Sequence, residues 1–369
     1  MAIFAGIVGL PNVGKSTLFN TITNSQVLMA NYRFATIEPN FGVVNLPDER
    51  LSILKNAYNS KEVIPASFKF VDIAGLIQGA SQGEGLGNKF LQNIRDVDAI
   101  CHVVRCFDDP DITHEYNSVD PIRDVQIINL ELTISDVEIV QKRVEKIQKK
   151  ALSGDKELAK ELVVLQKVLE QLNAGNFAKA ANLSIDELKV IKSMNLITLK
   201  PILYVANISE SDLVTIDNNH HYQKLLEFVK NSNDKLIPIS IKIEHELSLL
   251  DEVSKKEFMQ ELKISTTGLD KVIKEMFSLL NLSTYFTCGE QEIHAWTFKN
   301  GMNAQECAGI IHTDFYQGFI KAEVIGYNDF ILSGSESKAK ELGKMRLEGK
   351  TYLMNDGDIC HFKFNVTKK

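Results

Sequence analysis

One short segment near the start of the chain restricts its fold more than any other. The sequence GLPNVGKST at residues 9–17 fits the pattern G-x-x-x-x-G-K-[ST]. It follows the apolar run 1–8, and it precedes Leu18, Phe19 and Ile22, which share one side of a predicted helix. A strand, a glycine loop and a helix in this order predict an α/β domain whose loop binds phosphate groups.

The residue types in this loop indicate what each of them does. Glycines let successive backbone N–H groups turn inward around phosphate oxygens, and the helix N-terminus adds a partial positive charge. We expect Lys15 to reach the β- and γ-phosphates of a nucleotide, and the hydroxyl of Ser16 to bind Mg²⁺. The alternative is a glycine-rich turn without a ligand, which the flanking strand and helix oppose.

Two further segments lie where nucleotide-dependent switches place their loops. The segment NYRFATIEPN at 31–40 is polar, and Thr36 within it is a candidate second protein ligand to Mg²⁺; an ordinary loop threonine is the alternative. The predicted strand 68–71 ends in Asp72, which can hold Mg²⁺ through water, and shortly afterwards comes Gly75, whose N–H group can bond a γ-phosphate. These residues predict a sensor that distinguishes a nucleoside triphosphate from a diphosphate.

The group that positions an attacking water is not evident from the sequence. Leu76 stands where many switch hydrolases place a Gln for this purpose. His114, in the polar segment 108–114 after the predicted strand 100–105, is a candidate. Backbone groups, an ion or a partner are alternatives, and His114 is otherwise a loop histidine without a chemical role. The segment 75–87 contains five glycines and is predicted to order when a γ-phosphate binds.

The base-recognition motif departs from the guanine-specific pattern N-K-x-D. The predicted strand 201–206 ends in NISE at 207–210, so Ile208 replaces the Lys and Glu210 the Asp. A carboxylate in that pattern accepts the N1–H and N2–H₂ groups of guanine, whereas adenine offers an acceptor at N1. We therefore expect adenine to be preferred, with Asn207 pairing with its N6 and N7 edge and Ile208 packing on the ring. The alternative is a strand end unrelated to nucleotide binding.

The stretch between Asp72 and Asn207 is too long for the two βα units that it must contain. It spans 135 positions, whereas two units of about 30 residues fill only about 60. Residues 129–173 are rich in helix formers and are broken only at 153–155, which predicts an inserted antiparallel helical hairpin. Apolar residues recur at helical spacing on both arms: Leu132, Val137, Val140, Val144 and Ile147, then Leu158, Leu162, Leu165, Val168 and Leu172.

The first arm of this hairpin also carries a group of basic residues. They are Lys142, Arg143, Lys146, Lys149 and Lys150. A solvated charged face is one interpretation, and a contact with ribosomal or other RNA is the other. The sequence leaves both open.

The character of the sequence changes again near residue 282. From there to 366 it shows short β-prone runs separated by Gly and Asp turns, which predicts a small α+β domain suited to binding a partner. The predicted organisation is therefore a discontinuous nucleotide-binding domain over 1–128 and 197–281, an inserted helical hairpin over 129–196, and this C-terminal domain over 282–366.

Composition excludes several classes of protein. The net charge of -7 opposes binding to nucleic acid by bulk charge, and we expect no sequence-specific DNA partner. The five cysteines lack C-x-x-C spacing, which is typical of thiols in a reducing compartment. No run of about 18 apolar residues is present, so we expect no membrane span. A cytoplasmic monomer is the expected form.

Several segments together resemble the YchF or Obg-like ATPase family, over nearly the whole chain. Besides the loop at 9–17 they are NYRFATIEPNFGVV (31–44), DIAGLIQGASQGEGLGNKFL (72–91), NISE (207–210), TYFTCGEQEIHAWTF (284–298) and GIIHTDFYQGFIKAEVI (309–325). The resemblance implies a P-loop domain with an inserted helical hairpin and a C-terminal TGS domain of β-grasp type. It also implies a preference for ATP over GTP, slow hydrolysis, and association with ribosomes or their large subunit.

The resemblance further implies roles for individual residues. The phosphates would be held by Asn12, Val13, Gly14, Lys15, Ser16 and Thr17. Ser16 and Thr36 would bind Mg²⁺. The sequence leaves open whether K⁺ also assists, acting through Asn12. Asn207 and Ile208 would hold the adenine.

Three functions fit these observations. The first is an ATPase switch in which ATP and Mg²⁺ order the loops around Thr36 and Gly75. The second is a GTPase of Obg type, which the NISE motif opposes. The third is a nucleotide-gated module that binds ribosomes or RNA with negligible turnover, which the missing Gln permits.

Overall fold

The computed structural model describes residues 3–27, 41–73, 86–232, 234–262 and 264–365. Within these residues the strands are β1 (Phe4–Val8), β2 (Phe41–Asn45), β3 (Glu62–Ile64), β4 (Ser67–Asp72), β5 (Ala99–Arg105), β6 (Ile202–Asn207), β7 (Lys235–Ile239), β8 (Leu282–Cys288), β9 (Glu292–Lys299), β10 (Phe319–Gly326), β11 (Arg346–Glu348) and β12 (Asp358–Phe364).

The α-helices follow the same chain order. They are α1 (Lys15–Val27), α2 (Arg50–Tyr58), α3 (Leu86–Asp96), α4 (Pro121–Leu152), α5 (Lys156–Asn173), α6 (Ile185–Ile191), α7 (His220–Ser232), α8 (Ile241–Ser248), α9 (Glu252–Glu261), α10 (Gly268–Leu279), α11 (Ala304–Ile311), α12 (Thr313–Gln317), α13 (Tyr327–Ser333) and α14 (Glu336–Glu341). None of these helices has the length and apolarity that crossing a membrane requires.

The chain divides into two compact units. The first comprises 1–42 and 70–272, and the second comprises 43–69 and 273–369. Residues 43–69, which the sequence interpretation assigned to the nucleotide-binding domain, thus belong with the C-terminal residues. The reason is a long-range strand pairing: β3 pairs in parallel with β9, so this excursion adds a strand to the C-terminal sheet.

The first sheet has the order β2-β4-β1-β5-β6-β7 among the described residues. Strands β1, β5, β6 and β7 are parallel neighbours. Every residue of β5 and of β6 is buried, as expected for central strands that helices cover on both faces. The α/β fold with a P-loop is therefore confirmed, and the carboxyl ends of the parallel strands share one edge of the sheet, where such folds bind ligands.

An antiparallel helical hairpin is inserted between β5 and β6. Its first helix begins at Pro121 rather than at residue 129, because Asp120 caps it by accepting hydrogen bonds from Ile122 N and Arg123 N. The predicted break at 153–155 is confirmed. The predicted apolar seam is also largely confirmed, because nine of the ten predicted residues pack in one core: Val137, Val140, Val144, Ile147, Leu158, Leu162, Leu165, Val168 and Leu172.

A buried ionic network fixes the root of this hairpin. The carboxylate of Asp136 on α4 is fully buried and lies 3.0 Å from Arg95 Nη1 at the end of α3. It also accepts hydrogen bonds from Ile197 N and from both the backbone N–H and the hydroxyl of Thr198. These partners satisfy the carboxylate, as a buried charge requires.

The second unit contains a mixed sheet of order β11-β10-β12-β8-β9-β3 in the part of the chain that the structure describes. Strands β8 and β9 are antiparallel, as are β10 and β12, whereas β12 and β8 run parallel. Tyr285 on β8 is fully buried and donates a hydrogen bond to the carbonyl of Cys307 on α11. This unit is a mixed α+β fold, as the sequence predicted.

Candidate nucleotide-binding site

The loop between β1 and α1 has a backbone that few residue types can adopt. Gly9 and Gly14 have φ of +155° and +102°, and Asn12 has φ of 59°. A Cβ atom at Gly9 would lie 2.5 Å from the Val103 carbonyl oxygen, so this position admits only glycine. The loop therefore delivers the N-terminus of α1 to the carboxyl edge of the sheet, where its unbonded N–H groups can receive an anion.

The side chain of Lys15 reaches across this loop. Its ammonium donates a hydrogen bond of 2.5 Å to the Leu10 carbonyl oxygen, and the residue is only 9% exposed. Burial lowers the pKa of Lys15 to about 8, against the opposing charges of Asp72 and Glu115. The amine is thus held in a dry position beside the helix N-terminus, where a polyanionic ligand would favour its charged form.

Two of the proposed Mg²⁺-site residues meet at the P-loop. Ser16 Oγ lies 3.4 Å from Asp72 Oδ2, which brings the start of α1 to the end of β4. Burial raises the pKa of Asp72, while Lys15 and the Ser16 hydroxyl act to lower it. Both donors are hard oxygens, which is the chemistry that Mg²⁺ selects. Thr36, Gly75 and Leu76 lie outside the described residues.

A cavity of about 750 Å³ opens beside the loop. Its wall combines the P-loop, the segment after β5, the NISE motif and the start of α8: Asn12, Gly14, Thr17, Phe107, Asp108, Asp109, Ile112, Asn207, Ile208, Ser209, Glu210, Ser211, Ser240, Ile241, Lys242 and His245. The expected phosphate and base regions thus adjoin, and the cavity has the size of a nucleotide or drug-sized ligand site.

Asn207 braces this cavity from within the protein. Its side-chain amide donates to the Val13 carbonyl oxygen at 3.0 Å, and its oxygen accepts from the Ile241 N–H at 3.2 Å. Both polar atoms therefore have protein partners, and the residue ties the P-loop to the first residue of α8. Ile208 is 3% exposed and supplies apolar wall, whereas Glu210 is exposed and lies 3.8 Å from Lys242 Nζ. Pairing of Asn207 with the edge of adenine stays a prediction.

His114 is buried, with a partner at each ring nitrogen. Nε2 lies 2.9 Å from Asp124 Oδ2, and Nδ1 accepts a hydrogen bond from the Tyr116 N–H. Nε2 therefore carries the proton and donates to Asp124. The preceding residue lies against the P-loop, since Asn12 Nδ2 donates to the Thr113 carbonyl oxygen at 3.2 Å. His114 would have to leave these partners before it could act on a water.

Arg105 organises the segment after β5, and the sequence interpretation did not single it out. It is 1% exposed and donates hydrogen bonds to the carbonyl oxygens of Phe107, Asp109 and Ile112. These bonds shape one wall of the cavity. An arginine that ends a largely apolar strand, directly before a polar loop, is the signal by which it could have been found.

The parallel sheet, the glycine loop and the Lys15–Ser16–Asp72 group define a P-loop nucleotide-binding protein of the GTPase type. A family model described as a 50S ribosome-binding GTPase matches residues 4–164. A second model, for the C-terminal region of YchF GTPases and described as a protein of unknown function, matches residues 282–365. The chain belongs to the YchF family.

Relatives match this chain over almost its entire length. The "Ribosome-binding ATPase YchF" of Bacillus subtilis is 51% identical over 99% of this chain and 100% of its own. The protein of the same name from Mycoplasma genitalium is 53% identical over 98% and 99% of the two chains. The solved YchF GTPase of Schizosaccharomyces pombe superposes with a TM-score of 0.90 at 40% identity, covering 98% of this chain and 97% of that one.

Proposed function

We propose that this protein is a ribosome-associated ATPase that binds and slowly hydrolyses ATP with Mg²⁺ as a conformational switch. The observation that carries the proposal is the meeting of Lys15, Ser16 and Asp72 at the P-loop. A buried ammonium, a hydroxyl and a carboxylate at a helix N-terminus suit a metal-bound triphosphate. Water would attack the γ-phosphorus, and the bond to the β,γ-bridging oxygen would break to release ADP and phosphate.

The donor atoms present fit Mg²⁺. Ser16 Oγ would bind the ion directly, and Asp72 would hold one of its waters, at a site with few protein ligands, as Mg²⁺ prefers. When bound, the ion would neutralise charge on the β- and γ-phosphate oxygens. Thr36 is proposed as the second direct ligand, and K⁺ beside Asn12 as a further ion.

Preference for ATP rests on the cavity wall. Ile208 and Ile241 present apolar surface to a base, and the motif lacks the Lys of the guanine-specific pattern. Asn207 would hold the adenine edge while keeping the P-loop tied to α8. Glu210 lies at the exposed side of the cavity, near Lys242, where its charge is partly compensated.

Hydrolysis needs a group that positions water, and we propose His114 for it. The segment that carries it abuts the P-loop through Thr113, and the Glu115 carboxylate lies close enough to influence the pKa of Lys15. In this role the ring would exchange its bond to Asp124 for one to the attacking water. The N–H of Gly75 would bond the γ-phosphate and report its loss after hydrolysis.

Association with ribosomes is supported by the relatives, which carry the name "Ribosome-binding ATPase YchF" at 51% and 53% identity. We propose a cytoplasmic location on the same basis. We propose a monomer as the functional form, with no sequence-specific DNA partner and no membrane partner.

Two measurements test the proposal. Equilibrium titration with ATP and GTP in the presence of Mg²⁺ should show ATP bound more tightly by over about 1.4 kcal/mol, a factor of ten. Single-turnover hydrolysis, with and without ribosomes, should show cleavage of ATP that Lys15→Ala removes. Tighter GTP binding would favour a GTPase of Obg type, and undetectable hydrolysis in both conditions would favour a nucleotide-gated binding module.

A further inference from the structure

The tip of the helical hairpin carries cations that the fold does not use. Lys146, Lys149 and Lys150 near the end of α4, and Lys156 at the start of α5, are all exposed. None of the four has an ion-pair partner among the residues that the structure describes. Leu152 lies between them with 76% of its surface exposed. We name these five residues the tip surface.

Two basic residues on α4 that lie further from the tip do form ion pairs. Lys142 lies 3.7 Å from Glu138, one turn away, and Arg143 makes two short hydrogen bonds to Glu161 on the opposite helix. Arg143 therefore holds the two helices together. The five basic residues that stand together in the sequence thus separate into a structural pair and a free group at the tip.

The helix dipole explains only part of this group. Cations in the last turn of a helix are stabilised by its partial negative charge, which accounts for Lys149 and Lys150. Lys146 lies a turn earlier, and Lys156 is the first residue of α5, where the dipole opposes a cation. Two of the four lysines therefore have no structural reason to be at the tip.

The net charge of the residues around the tip is opposite in sign to the net charge of the whole chain. Residues 142–160 contain seven Lys and Arg against three Asp and Glu, whereas the chain as a whole carries -7. On α4, residues 146, 149 and 150 follow helical spacing and form one stripe about 6 Å long. An evenly charged polyanion such as a nucleic acid backbone suits a stripe of this kind.

The hairpin also holds its tip in a defined position. Its two helices share a continuous apolar core, and its root is fixed by the buried contact between Asp136 and Arg95. A rigid arm of this length can present its lysines to a groove of structured RNA without first being ordered, which lowers the entropic cost of binding.

We propose that the tip surface binds the phosphate backbone of structured RNA. The inference rests on the proposed association with ribosomes and names the surface that makes the contact. Lys146, Lys149, Lys150 and Lys156 bind phosphates, and Leu152 packs against a sugar or an unstacked base. Contacts of this kind position the protein on RNA without reading its sequence.

The test compares two triple variants with the same change in charge. One replaces Lys146, Lys149 and Lys150 by Glu, and the matched control replaces the exposed Lys224, Lys230 and Lys256 by Glu. The tip variant should unfold at a slightly lower temperature, because Lys149 and Lys150 lie in the last turn of α4. Both variants should keep the ATP affinity of the wild type. Binding is measured by cosedimentation with ribosomes, and by titration of a 20-base-pair RNA duplex at several salt concentrations.

The tip variant should lose ribosome and duplex binding by about tenfold or more, and its salt dependence should fall by about two to three units of log–log slope. The control should lose far less. If the wild type binds the duplex but not ribosomes, and the tip variant no longer binds the duplex, the result supports RNA binding by the tip surface and contradicts the association with ribosomes. If the tip variant binds ribosomes and the duplex as tightly as the wild type does, the assignment of RNA binding to the tip surface is wrong. If the wild type binds neither, both proposals fail.

Discussion

The hydroxyl of Ser16 and the carboxylate of Asp72 lie 3.4 Å apart, although 56 residues separate them in the chain. Ser16 lies in the first turn of α1 and Asp72 ends β4, and the sheet brings the two ends to the same edge. This pair tests the proposed metal site directly. Asp72→Asn keeps the shape of the side chain and removes its charge.

We expect Asp72→Asn to weaken Mg²⁺-dependent ATP binding by about 10- to 100-fold, because a group that orients a metal ion or its water is lost. Binding measured in EDTA should change much less. Asp111→Asn, an exposed acid after β5, serves as the control for general loss of negative charge. An equal loss with and without Mg²⁺ would contradict the assignment.

Lys15 should make ATP binding dependent on pH. Burial holds its pKa at about 8, so the amine loses its proton as the pH rises through this value, whereas a bound triphosphate favours the ammonium. ATP binding should therefore take up protons above about pH 8, and the affinity should fall as the pH increases further. The neighbouring His102, whose pKa burial lowers to about 3, stays neutral throughout.

Calorimetry at pH 8.5 in two buffers of different ionisation enthalpy measures this proton uptake. Lys15→Ala should abolish it. Equal heats in both buffers for the wild type would show that Lys15 does not change protonation on binding.

His114→Ala should reduce single-turnover ATP hydrolysis by about a hundredfold or more, as expected for a lost acid–base or water-positioning group. The ATP affinity should stay within about twofold of the wild type. His221→Ala is a matched control, since His221 also bonds an aspartate, Asp108, at 3.0 Å. Unchanged hydrolysis in His114→Ala would leave this residue with the structural role that its bond to Asp124 already provides.

The preference for adenine over guanine should depend on the NISE motif at 207–210. The double variant Ile208→Lys, Glu210→Asp restores the guanine-specific pattern, and we expect it to lower the ratio of ATP to GTP affinity by about tenfold or more, which is about 1.4 kcal/mol. Titration with both nucleotides measures the ratio. A ratio equal to that of the wild type would show that other parts of the cavity wall select the base.

Asp136→Ala should destabilise the first unit by about 3–5 kcal/mol, because it leaves Arg95 as a buried charge without its partner. Denaturant unfolding measures the change. Lys160→Ala provides the contrast: its exposed ion pair with Glu157 contributes at most about 1 kcal/mol. Similar decreases in the free energy of unfolding of the two variants would mean that the buried ion pair does not stabilise the root of the hairpin.

The sequence predicted the elements that have strong local patterns. The P-loop, the apolar strands beside it and the helical hairpin all follow from spacing and composition, because glycine geometry and helical periodicity are properties of neighbouring residues. The start of α4 was placed too late, since the cap at Asp120 and Pro121 lies before the apolar pattern begins. The sequence also did not predict that residues 43–69 belong to the second unit, because the pairing of β3 with β9 joins residues more than 200 positions apart.

For the site, the sequence by itself determined the chemistry of the phosphate loop: a lysine, a hydroxyl and glycines in one short segment. Only the tertiary structure decided which distant groups join it. Asp72 reaches Ser16, Asn207 ties Val13 to Ile241, and Arg105 shapes the cavity wall. The tertiary structure also bonds both ring nitrogens of His114 within the protein. Contacts of this kind arise because a parallel sheet gathers the ends of strands that are far apart in the chain, and no local pattern encodes them.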